Sequence, residues 1–169
     1  QAEACGVFPD VRMNPILLKP QGRGLSQLIR LGKVVGKYSA REYYKLSKEN
    51  FQIVKKTFDS LKLEADWIVI EGAGSPAEIN LQDTDIVNMK MAEYANAKVM
   101  LVGDIDRGGV FAWLKGTFDL IQEQHRTLLH GMLINKFRGD VTLLDPGIKQ
   151  FSKIVPIPLL GVIPWREIK

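Results

Sequence analysis

The sequence predicts an α/β domain built on a three-layer parallel sheet, and three observations carry that prediction. First, short apolar runs recur through the second half of the chain: Asp66-Trp-Ile-Val-Ile-Glu71, Lys98-Val-Met-Leu-Val-Gly103, Gly131-Met-Leu-Ile-Asn135 and Ile157-Pro-Leu-Leu-Gly-Val-Ile163. Each is bounded by Gly, Pro or a charged residue, and none alternates, which suits strands buried on both faces. Second, their starts near residues 67, 99, 131 and 157 repeat at about 30 residues, the size of a βαβ unit. Third, the stretches between them carry helical periodicity, and right-handed crossovers place such helices on both faces of a sheet.

The composition agrees. A chain of 169 residues, 46 % apolar and 25 % charged, has the size of one domain and the balance of a globular protein, which excludes disorder, collagen and a coiled coil. The single cysteine, Cys5, excludes a disulfide framework and a Cys-cluster zinc site; it reads as a small packed thiol. No apolar run approaches the roughly 20 residues needed to span a bilayer. The opening residues lack a basic segment followed by an apolar one, so no signal peptide is read. A cytoplasmic protein without a membrane or nucleic-acid partner is the expectation. Net charge is +4, and residues 1–65 carry 12 Lys/Arg against 6 Asp/Glu. Many of these charges fall within 41–62 at helical spacing and read as a solvated helix face.

Taken in order, residues 1–38 form a loop-rich opening with a hairpin, since Pro9, Pro15, Pro20 and several glycines interrupt only brief extended runs. Ser39-Ala-Arg-Glu42 is a capping box that opens a long helix over 39–64. Residues 65–169 form the βα repeats. Their clearest helix runs from Val110 to Ile121, with apolar positions 110, 114, 117/118 and 121 on one stripe. Weaker helical patterns cover 86–94 and 143–154.

Ligands of open parallel sheets bind beyond the carboxyl ends of the strands, and those ends are polar here. The first run leads into Glu71-Gly-Ala-Gly-Ser-Pro-Ala-Glu-Ile-Asn80, with Asp83 and Asp85 beyond it. The second leads into Gly103-Asp-Ile-Asp-Arg-Gly-Gly109 and the third into Asn135-Lys-Phe-Arg-Gly-Asp140. Glycines such as Gly72 and Gly74 let backbone N–H groups approach a phosphate, and a strand-end carboxylate such as Glu71 can hold Mg²⁺. One Gly-Asp turn alone reads as a tight turn; three at one sheet edge point to a ligand. Asp85 just before a helix also reads as an N-cap. Asn135-Lys136 resembles the start of a guanine-reading N-K-x-D, but Arg138 fills the fourth place and guanine selection is not supported. Asp106-Arg-Gly-Gly109 matches a D-x-x-G pattern with too few fixed letters to carry weight. His125 and His130 read as surface or helix-end residues rather than metal ligands. No Walker A motif, G-x-x-x-x-G-K-[ST], occurs.

Several long strings, taken together, resemble the cobyric acid synthase family. They are Gln1-Ala-Glu-Ala4, Met13-Asn-Pro-Ile-Leu-Leu-Lys-Pro20, Glu71-Gly-Ala-Gly-Ser-Pro-Ala-Glu-Ile-Asn-Leu81, Asp85-Ile-Val-Asn-Met89, Gly103-Asp-Ile-Asp-Arg-Gly-Gly-Val-Phe-Ala112 and Asn135-Lys-Phe-Arg-Gly-Asp140. The resemblance implies a P-loop NTPase, dethiobiotin-synthetase-like fold, of which the first strand and Walker A loop would precede Gln1. It implies a glutaminase domain that would follow residue 169. On that basis residues 1–169 are a partial ATP-dependent synthetase domain that alone makes no product. The implied activity is glutamine-dependent amidation of peripheral carboxylates of adenosylcobyrinic acid a,c-diamide, driven by ATP and Mg²⁺ through an acyl phosphate. The implied partners are the corrinoid substrate and ammonia from the glutaminase domain, with a homodimer as the assembly in view. By resemblance Glu71 is the Mg²⁺ ligand, and Asp83 and Asp85 face the substrate carboxylate. Asn135 reads adenine with Lys136 beside it, and Asn14, Lys19, Asp106 and Arg107 meet the substrate. The alternative reading is a module that binds a nucleotide or a partner without turnover.

Overall fold

A computed structural model describes residues 1–167 of the chain. In order the elements are α1 (Ala2–Cys5), β1 (Ile16–Gly22), β2 (Leu25–Arg30), β3 (Lys33–Ser39), α2 (Ala40–Lys45), α3 (Ser47–Leu61), α4 (Met89–Ala95), β4 (Val99–Asp104), α5 (Val110–Leu120), α6 (Glu123–Arg126), β5 (Leu129–Phe137), α7 (Asp145–Ile154) and β6 (Leu159–Pro164). Short 3₁₀ turns sit at Val11–Met13, Ile105–Arg107 and Val141–Leu144. The chain forms two compact units: Gln1–Gly72 with Asp83–Met91, and Ala73–Gln82 with Ala92–Lys169. No described helix is long and apolar enough to cross a membrane.

The first unit is built on an antiparallel sheet in the order β1-β2-β3, where a loop-rich opening with one hairpin is expected. The difference lies in the turns. Arg23-Gly24 and Leu31-Gly32 each join two strands, and all four residues have positive φ (52°, 72°, 45° and 77°). That is the backbone of a two-residue type I′ hairpin turn, whose twist matches the flanking strands. Only the second residue of each is glycine, so neither turn carries the usual Asn-Gly or Asp-Gly signal. Leu28 in the central strand is fully buried.

The capping box forms as read: Ser39 N donates to Glu42 Oε2 at 2.8 Å, and Glu42 N donates to Ser39 Oγ at 3.4 Å. The predicted 39–64 helix is nevertheless two helices. Leu46 between them flattens to ψ 1°, outside the α-helical range. Two arginines fasten this helical segment. Arg30 on β2 donates to Asn50 Oδ1 at 2.8 Å and pairs with Glu49. Arg12 donates to Asp10, Ser60 and Glu64, and these hydrogen bonds hold the Asp10 and Glu64 carboxyls below their ordinary values. Cys5 is exposed rather than packed, because the four-residue α1 contributes no buried side chain.

The predicted first strand of the βα series is not a strand. Residues 67–70 lack ladder hydrogen bonds among the described residues, and Trp67 and Val69 are 90 % and 93 % exposed. Apolar composition records what a segment would bury; a strand also needs a partner edge, which the string itself cannot supply.

The second unit holds the parallel sheet, in the order β4-β5-β6. Leu101 lies opposite Met132, and Asp104 opposite Asn135. The predicted helix over 110–121 forms as α5, and the 143–154 pattern forms as a 3₁₀ turn followed by α7. The two crossover helices do not lie on opposite faces as expected. Phe111 of α5 and Phe151 of α7 pack with ring centroids 5.3 Å apart and planes tilted by 43°, which two helices separated by a sheet could not do. Sequential strand order produces this arrangement: each right-handed crossover advances the same way and returns its helix to the same face. Leu114, Ile121, Met132, Ile134 and Phe151 form the core of this unit. His125, at the end of α6, is buried rather than on the surface, with Nε2 3.4 Å from Glu93 Oε2.

Gly103 sets how closely α5 approaches β4. A Cβ there would lie 2.7 Å from Val110 Cγ2 and 3.1 Å from Leu114 Cγ. Both neighbours are buried side chains without room to yield. Gly103→Ala is expected to destabilise the fold by about 1–3 kcal/mol, the usual cost of one methyl too many in a packed core. Urea unfolding monitored by circular dichroism measures it; an unchanged midpoint would show that α5 can shift freely.

Candidate functional site

The carboxyl ends of β4 and β5 bring predicted residues together. Parallel register sets Asp104 beside Asn135, and the chain then leaves both strands by tight turns. Asp104 Oδ1 accepts from Asp106 N at 3.0 Å, opening the 3₁₀ turn over Ile105–Arg107. Gly108 and Gly109 follow with φ of 73° and 64°, and Gly109 starts α5. Asp106 and Arg107 are exposed on this turn.

Lys136 sits near the end of β5, where the pairing with β6 shifts register between Ile134 and Phe137. Its φ of 63° is uncommon for a residue with a side chain, and two contacts hold it there. Its N–H donates to Asn135 Oδ1 at 2.8 Å, and its Nζ donates to Asp104 Oδ2 at 2.6 Å. The Lys136 hydrogen bond is the main cause that holds the Asp104 carboxyl below its ordinary value; desolvation opposes it, and the Asp106 N–H adds to it. Arg138 extends the chain of ions: its Nε lies 3.5 Å from Asp106 Oδ1. Its guanidinium sits 4.3 Å from the centre of the Trp165 ring. Asp140 caps the next turn by accepting from Thr142 N at 2.9 Å and from Thr142 Oγ1 at 2.7 Å, which lowers its carboxyl as well.

The Lys136–Asp104 pair has a pH signature. A depressed carboxyl contributes fully above about pH 4, its unfolded value, and its contribution disappears as the pH falls through the lowered folded value. Carboxyl NMR of Asp104 is expected to titrate below the range of the free residue, and Lys136→Ala to return it toward that range. Titration at the same pH in both proteins would mean that the ion pair does not form in solution.

The remaining predicted residues fall into separate settings. Asp85 Oδ1 accepts from Val87 N at 2.9 Å and Asn88 N at 3.2 Å, just ahead of α4. Those are the N–H groups that an N-cap would take, but α4 starts only at Met89, so Asp85 closes the turn ahead of the helix rather than capping the helix itself. Gly72 lies against the same turn, since a Cβ there would collide with the side-chain oxygen of Asn88. Asp83 is exposed, and its carbonyl accepts from Lys90 Nζ at 2.8 Å. Glu71 is exposed and makes no side-chain hydrogen bond or ion pair among the described residues. Gly74, with φ 68°, turns the chain in open space. Asn14 follows the first 3₁₀ turn and Lys19 lies on β1, both exposed. Because residues 67–70 form no strand, two of the three polar segments, not three, end strands of the parallel sheet.

Among the described residues no three His, Cys, Asp or Glu side chains cluster to hold a metal. Mg²⁺ needs only one or two carboxylates when phosphate oxygens and water complete its octahedron, and the unpaired Glu71 carboxylate fits that lesser demand. Asn135 suits a base edge: Oδ1 keeps a second lone pair after accepting from Lys136 N, and Nδ2 is a donor. Trp165 is the residue that sequence reading passed over. Its signal was weak, a lone aromatic after the proline that ends the last strand.

Comparison with known proteins puts a family beside this geometry. An AAA domain family matches residues 35–168. A cobyric acid synthase from Photorhabdus laumondii subsp. laumondii is 52 % identical over 168 residues, covering 99 % of this chain and 33 % of that protein. One from Yersinia enterocolitica is 51 % identical with the same coverage, and one from Lachnoclostridium phytofermentans is 54 % identical over 172 residues, covering 99 % of this chain and 34 % of its own length. The chain thus spans about a third of the length of the curated relatives it matches. No solved structure matches it. The chain belongs to the AAA domain family, a P-loop NTPase-like α/β class with a parallel sheet, and over nearly its whole length it resembles the cobyric acid synthases.

Proposed function

We propose that this chain is a synthetase segment of a cobyric acid synthase, serving ATP-driven, glutamine-dependent amidation of peripheral carboxylates on adenosylcobyrinic acid a,c-diamide. The observation that carries the reading is the ionic strand-end cluster of Asp104, Asn135 and Lys136 in a chain half identical to proteins of that name. In the proposed reaction a substrate carboxylate oxygen bonds to the γ-phosphorus of ATP and ADP leaves. Ammonia then bonds to the acyl carbon, phosphate leaves with the former carboxylate oxygen, and the nitrogen gives up a proton. Such chemistry depends on positioning and on neutralising phosphoryl charge. Bound Mg²⁺ would supply that neutralisation, with Glu71 as its ligand.

Each of the chain's own groups has a role in this proposal. Asn135 holds the adenine edge. Lys136, fixed by Asp104, places a positive charge near the nucleotide. Gly72 and Gly74 let backbone N–H groups reach phosphate. Asp83 and Asp85 orient the carboxylate to be activated, and Asn14, Lys19, Asp106 and Arg107 meet the polar rim of the corrinoid. Incubating the full-length protein with Mg²⁺-ATP, glutamine and the a,c-diamide tests the reading. Amides should accumulate on the corrin with matching ADP and phosphate; no amide, or amide formed without ATP, would overturn it.

Nucleotide choice is a second expected result. Guanine presents N–H donors to the carboxylate of an N-K-x-D loop, and Arg138 has no acceptor to offer them. ATP is expected to exceed GTP in kcat/KM by at least about tenfold, roughly one hydrogen-bonded discrimination. Comparable values for the two nucleotides would contradict the role given to Asn135.

A further inference from the structure

Arg138 and Trp165 form a partly open pair of side chains that the assigned roles do not use. Trp165 N donates to Phe137 O at 2.8 Å, extending the β5–β6 ladder beyond Pro164 and placing residue 165 beside the end of β5. The Arg138 guanidinium lies 4.3 Å from the ring centre, and Asp106 holds it from the side at 3.5 Å. Trp165 nevertheless stays 42 % exposed, and the Arg138 side chain 59 %. A large apolar ring and a planar cation are thus paired at a strand end while part of their surface remains open. Asn135, the last residue of β5 paired with β4, lies three positions ahead of Arg138.

We propose that the Arg138–Trp165 pair is the stacking plate for the purine base whose edge Asn135 holds, which rests on the reading of Asn135 given above. Asn135 supplies an acceptor and a donor in one plane, which fits an adenine edge, but an in-plane contact alone leaves the base free to tilt. A plate against its face removes that freedom. Guanidinium and indole both stack on purines, and Arg does so where Lys cannot, because only Arg is planar. The plate itself takes either purine, because both have a π-face; the bias against guanine stays with the base edge. A plate of this kind favours the larger purine surface over a pyrimidine.

Calorimetric binding of Mg²⁺-ATP and of Mg²⁺-tripolyphosphate to the full-length protein tests the plate, since tripolyphosphate has no base to stack. Trp165→Ala and Arg138→Ala are each expected to weaken ATP by about tenfold, within the range for loss of one base–aromatic stack, while tripolyphosphate binding is unchanged. Trp165→Phe is expected to retain most of the ATP affinity and Arg138→Lys little of it. If Trp165→Ala fails to fold, the exposed Arg138→Ala decides. Unchanged ATP binding in Arg138→Ala, or equal weakening of ATP and tripolyphosphate, would overturn the plate. Asn135→Ala separates the two ideas. Should it weaken ATP while the plate variants do not, the base reading stands and the plate falls; should it leave ATP unaffected, the base reading fails and the plate with it.

Discussion

Asp85→Asn in the full-length protein is expected to slow corrin amidation by about 100-fold, the scale of a lost acid–base or orienting carboxylate, while the fold is retained. The substitution separates the turn-closing role of Asp85 from the orienting role proposed for it. Asp85 accepts from Val87 N and Asn88 N, and asparagine keeps an oxygen in the same place and closes such turns about as well. A purely structural Asp85 therefore makes the variant neutral in both stability and rate. A carboxylate that orients the reacting group loses its charge and with it most of the rate. Amidation of the a,c-diamide, followed by mass spectrometry beside a thermal unfolding scan, distinguishes these outcomes. Normal rate with normal stability would reduce Asp85 to closing its turn, and the loss of both would show that the turn depends on charge.

Glu71→Gln is expected to lower ATP-dependent turnover on the order of 10²–10³, the effect seen when one preorganised charge-stabilising group is removed. The same change should leave stability within about 0.5 kcal/mol, because an exposed side chain outside any structural network seldom contributes more. The structural basis is the isolation of this carboxylate: Glu71 makes no side-chain hydrogen bond or ion pair among the described residues. Glutamine keeps the shape and removes the charge a divalent cation needs. The variant should therefore also require more Mg²⁺ for half-maximal rate. Turnover and Mg²⁺ dependence equal to those of the parent would remove Glu71 from the metal role.

Much of the second unit was legible because its signals are local. The apolar runs at 99–103, 131–135 and 157–163 each overlap a strand, and the stripe from Val110 became α5. The capping box at Ser39 is a four-residue hydrogen-bonding device, so its sequence contains both partners. The strand-end polar segments could be singled out as well, because carboxylates and glycines directly after apolar runs have few reasons to be there other than turns and ligands. Where reading failed, the deciding contact lay elsewhere in the chain. The run at 67–70 looks like its three successors, yet it forms no ladder among the described residues. The hairpins at Arg23-Gly24 and Leu31-Gly32 place arginine and leucine at positive φ. Cross-strand pairing makes that local cost acceptable, and no turn-specific residue announces it.

By itself the sequence determined the class of the protein: α/β with parallel strands, a polar edge after the strands, and a set of motifs resembling one synthase family. It could do so because periodicity, capping and strand-end composition act over a few residues. Only the tertiary structure decided that both crossover helices share a face, that Asp104 meets Lys136, and that Arg138 lies on Trp165. Those facts join positions 40, 32 and 27 residues apart, and strand register and crossover direction fix them. Both arise from the hydrogen-bonded sheet as a whole, so no single segment encodes them.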